Sequence, residues 1–381
     1  MWRIPCGQKT NYIHMKENVL ITGGAGFIGS HLTDRLISQG YSVKILDNLN
    51  EQIHGKGKRA PDYLNSNAEL IVGDIRDKDA VKLALENVDI VYHFASIDGI
   101  EPSMLEIRDY IDVNDTGTAV LLEELIKKPV RKLIVASSMS IYGEGLYRGP
   151  NKRNCEGKER SYDQLKAQDW ELYNRKGSRL IPVPTPEHKS PAHASIYALS
   201  KYNQEKLCMM IGQAYSIPTI ILRFFNVYGT RQSLLNPYAG VLANFASALV
   251  KDNSPVIYED GLQQRDFLHV KDAITACILA AEMPAAIYKT FNIGSGSSYT
   301  ISEIANRIIK LLGKEGIYPQ ITGKYRLGDV RHCFGDISYA KRILGYTPKV
   351  TIDEGLTELL EWIKGQKVAE LHNHTREELF T

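Results

Sequence analysis

Two groups of residues have types and spacing that chemistry can use. In Tyr197-Ala198-Leu199-Ser200-Lys201 a phenol and an ammonium stand four residues apart, on one face of a helix. An ammonium beside a phenol favours phenolate and lowers a pKa that is ordinarily about 10, so Tyr197 is expected to act as a base near neutral pH. Ser137-Ser138-Met139-Ser140 follows the apolar run 132–136, so one of these hydroxyls could hold a substrate oxygen at the end of a strand. The second group is Gly23-x-x-Gly26-x-x-Gly29, set between the apolar run 18–22 and an amphipathic stretch. Glycines there permit a tight turn, let backbone amides approach a pyrophosphate and let a helix pack on a strand. Asp47 ends the next apolar run, 18 residues after Gly29. A carboxylate in that place accepts from ribose hydroxyls and repels a 2′-phosphate, so the expected dinucleotide is NAD and not NADP. Asp74, after a third run, either meets an adenine edge or is a solvated turn residue.

These residues need a frame. Short apolar runs at 18–22, 42–47, 68–72, 90–94, 132–136 and 219–223 read as buried strands. Helical periodicity lies between them, at 27–38, 78–86, 112–127 and 196–214. Strands alternating with helices predict a parallel sheet covered on both faces. The stretch 143–194 is long, polar and Pro-rich, and reads as an insertion on the rim without a core of its own. Beyond Asn226 the pattern is mixed, with helices expected at 237–251, 300–312 and 354–364.

Composition excludes several classes. At 381 residues the chain has room for about two domains, and its hydrophobic share of 43% supports a core without disulfides or metals. A net charge of +2 builds no nucleic-acid-binding field. No apolar run approaches the roughly 20 residues that a bilayer requires. The five cysteines are scattered and lack paired spacing, which suits a reducing, cytoplasmic setting and neither a disulfide framework nor a structural zinc. No metal is expected. Residues 1–15 read as a flexible extension.

A set of motifs adds a resemblance. They are TGGAGFIG (22–29), LDNL (46–49), HFAS (93–96), VNDTGT (113–118), SSMSIYG (137–143), YALSK (197–201), RFFNVYG (223–229), QRDFLHV (264–270), FNIGSG (291–296) and RLGDVR (326–331). With them the chain resembles the extended short-chain dehydrogenase/reductase family, in particular its NAD-dependent nucleotide-sugar epimerases and dehydratases, from Val19 to Trp362. The resemblance implies an α/β fold: a Rossmann-like doubly wound parallel sheet with a smaller C-terminal α/β substrate-binding domain. The NAD-binding domain would span 16–225, with the insertion at about 144–194 and a return to the sheet at about 255–292. Residues 226–254 and 293–381 would bind the nucleotide sugar. By position, Tyr197 resembles the catalytic base, Lys201 its activator and ribose ligand, and Ser138 the hydroxyl that assists proton transfer. Gly23, Gly26, Phe27, Ile28, Gly29, Asp47, Asn48, Asp74, Ile75, Phe94, Ala95 and Ser96 match the cofactor contacts. Ser140, Asn226, Val241, Arg265 and Arg326 match the substrate contacts. The two arginines suit a diphosphate, although by residue type alone they read as ion-pair partners.

The reaction is narrowed by what is missing. Dehydratases of the family carry an Asp-Glu pair just after the catalytic hydroxyl, and decarboxylating relatives an acid in the same stretch; Met139 and Ser140 stand there instead. Oxidation and re-reduction at one carbon remains, a C4 epimerisation. The stretches 47–55, 103–119, 236–245 and 258–270, and the 59 positions between Ser138 and Tyr197, most resemble the dTDP-L-rhamnose 4-epimerases, which make dTDP-6-deoxy-L-talose, a setting in polysaccharide biosynthesis. Some of those relatives carry paired CxxC motifs in the insert; here only Cys155 stands there. The alternatives are a UDP-hexose or UDP-N-acetylhexosamine 4-epimerase, a 4-ketoreductase and a non-catalytic NAD-binding regulator. The resemblance also implies a homodimer paired through the helices at 113–127 and 196–214, with Leu121, Leu122, Leu207 and Met210 as the expected apolar surface.

Overall fold

The computed structural model describes residues 17–234, 240–326 and 328–366, without the Glu101 side chain. The expected extension 1–15, Cys6, residues 236–239 of one resembling stretch, Leu327 and the end of the chain from 367 lie outside the described residues.

Seven strands form one parallel sheet: β1 (Asn18–Thr22), β2 (Ser42–Asp47), β3 (Glu69–Val72), β4 (Ile90–His93), β5 (Lys132–Ser138), β6 (Thr219–Phe224) and β7 (Lys289–Ile293). Their order across the sheet is β7-β6-β5-β4-β1-β2-β3. The doubly wound α/β class is therefore as expected. Consecutive side chains on a strand face opposite ways. Val19 and Ile21 accordingly enter one core with Leu32 and Leu36 of α1 (Phe27–Ser38), while Leu20 enters the other. That second core receives α2 (Gly117–Lys127) and α3 (Ile196–Ala214) through Leu121, Leu122, Leu125 and Cys208. Leu121 and Leu122, expected on a pairing surface, are thus buried against the sheet, and Leu207 packs partly on the same core. Met210 is 57% exposed.

The helix expected from 112 begins differently. Ile111–Thr116 winds in wide π turns before α2 starts. Asn114 lies in this stretch, and its amide reaches across to Ile97 and Ser200. Wide turns of this kind place a side chain that regular helix would aim elsewhere.

A third core joins α4 (Val241–Val250), α6 (Ile301–Leu311) and α7 (Ile352–Lys364) through Leu242, Phe245, Ile304, Ile308, Leu356 and Leu359. α6 and α7 each start in a capping box, Thr300 with Glu303 and Thr351 with Glu354, which satisfies orphan amides at both starts. Between α4 and α6 in sequence, α5 (Val270–Glu282) covers the main sheet beside α1.

The insertion departs from the expectation of a coreless rim. Leu146–Arg148 is the middle strand of a three-stranded antiparallel sheet with Asn154–Glu156 and Ile181–Val183. Tyr147, Leu172 and Leu180 form a small apolar cluster beside it. The pattern was hidden because the strands are three residues long and separated by polar turns.

One buried ion pair joins helix to sheet. Arg223 on β6 donates Nε to Glu205 Oε2 at 2.9 Å and Nη2 to Oε1 at 2.5 Å, and both side chains are buried. Removing one partner leaves the other charged in a dry site. Glu205→Ala should therefore cost about 3–5 kcal/mol of stability, measured by urea denaturation; a loss under about 1 kcal/mol, the scale of an exposed pair, would show the pair to be dispensable.

Candidate active site

The glycine loop follows β1 directly. Gly23 sits at φ +71°, and a Cβ there would lie 2.8 Å from the Ala95 nitrogen. On Gly29 a Cβ would stand 2.5 Å from the Gly23 carbonyl oxygen. Both positions therefore exclude a side chain by contact. α1 begins at Gly26 with no side-chain cap and no acidic residue in its first turn, so its amide end is suited to an anion. Phe27 and Ile28 turn onto the sheet core. This cradle fits a dinucleotide pyrophosphate.

Asp47 is buried at the end of β2. Its Oδ2 accepts from the Ala25 amide at 3.0 Å and its Oδ1 from the Leu49 amide at 2.9 Å, so the carboxylate ties the glycine loop to the next one. His54 Nε2 lies 3.7 Å from Asp47 Oδ1, and burial lowers the His54 pKa against the pull of that carboxylate. Asp74 is held by the Arg76 fork at 2.8 Å on each oxygen, with Asn48 donating at 3.2 Å. The Arg76 hydrogen bonds hold its pKa down to about 2, against burial. Asp74 is thus neither a bare turn residue nor an unengaged acceptor. Ile75 is buried and meets Gly117, where a Cβ would come within 2.5 Å. The Phe94 and Ala95 amides both donate to Thr22 Oγ1 at 3.2 Å, and Ser96 follows.

Tyr197 and Lys201 lie in the first turns of α3, which Ser195 caps by accepting from the Ala198 amide. Ser138 ends β5, accepts from the Ser140 hydroxyl at 2.9 Å and stands close enough to the Tyr197 phenol to influence its ionisation. The three candidate residues therefore meet at the carboxyl edge of the sheet. The expected lowering of the phenol pKa is not found. Burial pushes Tyr197 up, the Asp98 charge adds to this, and the Ser138 hydroxyl opposes it. Lys201 instead donates Nζ to Gln204 Oε1 at 2.6 Å, and burial lowers its own pKa to about 8. Asp98 is exposed as a residue, yet its carboxyl group lies within electrostatic reach of Tyr197 and Lys201, and its pKa is raised.

A buried polar chain runs inward from Lys201. Gln204 donates Nε2 to Thr118 Oγ1 at 2.9 Å, and Thr118 donates to the Asn114 carbonyl at 2.5 Å. Thr22 Oγ1 already accepts two amides, so its hydrogen points to His93 Nδ1, 2.8 Å away. His93 then carries its proton on Nε2 and donates to Thr118 at 2.9 Å. Burial, and secondarily the Lys201 charge, lowers the His93 pKa to about 3, so the ring is neutral. Gln204, Thr118 and Asn114 had no assigned place in the sequence reading, which set Asp98 in a loop near the sugar. HFAS and VNDTGT carry His93, Asn114 and Thr118; Gln204, seven residues after Tyr197, is betrayed only by the fold.

A cleft joins the two sides of the site. Met139, Ser140, Ser195, Asn226, Arg265 and Asp329 are among its lining residues. Asn226 donates its amide to the Asp266 carbonyl at 3.0 Å. Arg265 donates to the Gln264, Val330 and Arg331 carbonyls and stands 3.5 Å from Asp329. The guanidinium of Arg326 lies 4.5 Å over the Tyr258 ring and donates to its hydroxyl at 3.4 Å. Val241 is not brought to this cleft; it packs partly on the third core at the start of α4. No carboxylate stands at 139 or 140, although Asp98 and Asp329 border the region. Among the described residues no group of three or more His, Cys, Asp and Glu is placed to hold a metal ion. No described helix is long and apolar enough to cross a membrane.

Comparison with known proteins agrees with this geometry. Residues 19–168 and 171–294 match the model of the NAD dependent epimerase/dehydratase family. The chain is 33% identical to a dTDP-L-rhamnose 4-epimerase of Burkholderia thailandensis, over 91% of this chain and 95% of that protein. Its fold is similar to a UDP-glucose 4-epimerase of Thermotoga maritima solved with UDP-glucose, at TM-score 0.74 and 31% identity, covering 91% and 98% of the two chains. It is also similar to a UDP-glucuronic acid 4-epimerase of Bacillus cereus solved with UDP-glucuronic acid and NAD, at TM-score 0.73 and 28% identity, covering 91% and 99%. The chain belongs to the NAD-dependent epimerase/dehydratase family, and its cofactor is NAD.

The buried lysine gives a test of its own. With its pKa lowered from 10.5 to about 8, Lys201 holds its proton less tightly in the folded chain than in the unfolded one. Between those values the unfolded state binds more protons, so folding stability rises with pH across that window. Relative to Lys201→Met, the wild-type chain should gain about 2 kcal/mol between pH 7 and pH 10, read from denaturant midpoints at each pH. A constant difference between the two proteins would contradict the lowered pKa.

Proposed function

We propose that this enzyme of the NAD-dependent epimerase/dehydratase family interconverts the C4 epimers of a nucleoside-diphosphate sugar, with dTDP-L-rhamnose and dTDP-6-deoxy-L-talose as the pair. The observation that carries the reading is the meeting of Ser138, Tyr197 and Lys201 at one sheet edge with Met139 and Ser140 where dehydratases keep their acids. The full-length likeness to the Burkholderia enzyme favours the 6-deoxysugar. A UDP-hexose 4-epimerase is the second reading, favoured by the likeness to the Thermotoga enzyme that was solved with UDP-glucose.

In this reading Gly23, Gly26, Phe27, Ile28 and Gly29 hold the pyrophosphate of NAD. Asp47 and Asn48 serve its ribose, Asp74 and Ile75 its adenine, and Phe94, Ala95 and Ser96 border its path. Bound NAD supplies reversible hydride exchange at C4. Tyr197 takes the proton of the 4-hydroxyl group as C4 is oxidised and returns it when C4 is reduced from the opposite face. Ser138 holds the sugar oxygen in line with the phenol. Lys201, while charged, offsets the negative charge that forms on Tyr197, which burial otherwise resists. Asn226, Arg265 and Arg326 keep hold of the diphosphate while the 4-keto sugar turns. Binding energy thus comes from the nucleotide, remote from the reacting carbon. Ser140 completes the substrate contacts in this proposal.

The protein is proposed to work in the cytoplasm, consistent with four unpaired thiols, Cys155, Cys208, Cys277 and Cys333. A homodimer through the 113–127 and 196–214 helices is supported by exposed Met210 and Leu199; a light-scattering mass equal to one chain would refute it.

NMR of the purified protein with dTDP-L-rhamnose, and separately with UDP-glucose, tests the function without an added hydride donor. A new anomeric signal from dTDP-L-rhamnose is expected. Turnover of UDP-glucose alone would transfer the assignment to the second reading. Turnover only with added NAD(P)H would indicate a ketoreductase, and silence with both sugars despite bound NAD a non-catalytic protein. Tyr197→Phe should lower the rate by about 10²–10⁴-fold while bound NAD is retained.

A further inference from the structure

The insertion does more than decorate the rim: it holds one segment of the chain along its length. The Trp170 ring packs on Tyr325 at 6.2 Å. The Gln168 amide lies against Gly323, where a Cβ would come within 2.7 Å of it. Arg160 donates Nη2 to the Asp329 carbonyl at 2.9 Å. Glu144 accepts from the Arg331 amide at 2.7 Å and from the His332 amide at 3.2 Å. Glu171 accepts from the Arg331 guanidinium at 2.8 Å. The Thr185 amide donates to the Phe334 carbonyl at 2.8 Å.

The gripped segment bears on both candidate diphosphate arginines, of which Arg265 lines the cleft. Arg326 belongs to it, and Arg265 takes its geometry from the Val330 and Arg331 carbonyls and the Asp329 carboxylate. Among the described residues, Arg160 is the cation of the insertion that donates to this backbone. Its side chain is 2% exposed, and its other arm donates Nη1 to Glu259 Oε1 at 2.7 Å. A planar fork serves both acceptors from two separate nitrogens in a fixed geometry, which the single ammonium of a lysine does not reproduce. Arg160 also offsets two buried carboxylates, since Glu144 stands 4.0 Å away and Glu259 is paired with it.

We infer that the insertion is the back support of the nucleoside-diphosphate site and that Arg160 is its positioning residue, setting affinity for the diphosphate and not the rate at C4. The inference rests on the reading that Arg265 and Arg326 hold a diphosphate.

The test is calorimetric titration of the NAD-loaded protein with dTDP and with UDP, alongside kcat, KM, bound NAD and Tm. Three variants are compared. Arg160→Lys keeps the charge and one arm, Arg160→Met keeps neither, and Arg179→Ala removes an exposed partner of Glu171 that does not touch the segment. Arg160→Lys should weaken diphosphate binding and raise KM by about tenfold, Arg160→Met by more, with kcat within about twofold of wild type. Bound NAD and Tm of Arg160→Lys, and all values for Arg179→Ala, should match wild type. Wild-type affinity in Arg160→Lys would overturn the inference, as would parallel losses of NAD and kcat, which mark a merely structural role. Wild-type protein that binds neither diphosphate would instead remove the reading of Arg265 and Arg326, and this inference with it.

Discussion

The site depends on a carboxylate that never reaches it. Glu205 lies one turn beyond Lys201 on α3 and takes both arms of Arg223 from β6. The same carboxylate accepts from Ser137 at 3.1 Å, the neighbour of Ser138 on β5. One buried anion thus fixes the helix that carries Tyr197 and Lys201, and the strand end that carries Ser138, to a common origin. Arg223 extends the arrangement by donating to the Tyr142 hydroxyl, which in turn donates to Asn292 on β7. A pair of this kind adds little net stability over a well-packed apolar pair, because both ions lose their hydration. What it supplies is registration: a fork meets a carboxylate in few geometries.

Lys201 shows the opposite economy. It is buried, its proton is loosened, and its one close acceptor is a neutral amide. The chain tolerates this because every polar atom along the path from Gln204 through Thr118 and His93 to Thr22 finds a partner. Half-satisfied networks in a dry interior are costly, whereas completed ones are rigid. The ammonium is therefore the strained member of an otherwise settled network, as a group with work to do on a neighbour would be.

Much of this was legible in the residues. α1 and α3 have the bounds that their periodicity predicts, because Gly26, Gly40 and Ser195 mark their ends. The Tyr197–Lys201 spacing and the strand-end serine carried the candidate centre. What escaped depends on depth. Gln204 and the direction of the Tyr197 pKa follow from what surrounds a side chain, and spacing along the chain does not encode that. Leu121 and Leu122 look the same in sequence whether they face a sheet or a second protein. The insertion hid its strands because pairing of three-residue segments is decided by partners far away.

The route of the main sheet also orders events in time. β1 to β6 and α3 are complete in the chain once Phe224 is made, whereas β7 arrives only after a long excursion that makes α4 and α5, and α6 and α7 of the third core follow it. Chains fold in the direction of synthesis when early segments can bury their own apolar faces. Glu205 and Arg223 are thus both present in the chain before Arg265 and Arg326 are made. The residues of the dinucleotide cradle thus precede, along the chain, those proposed to hold the sugar nucleotide.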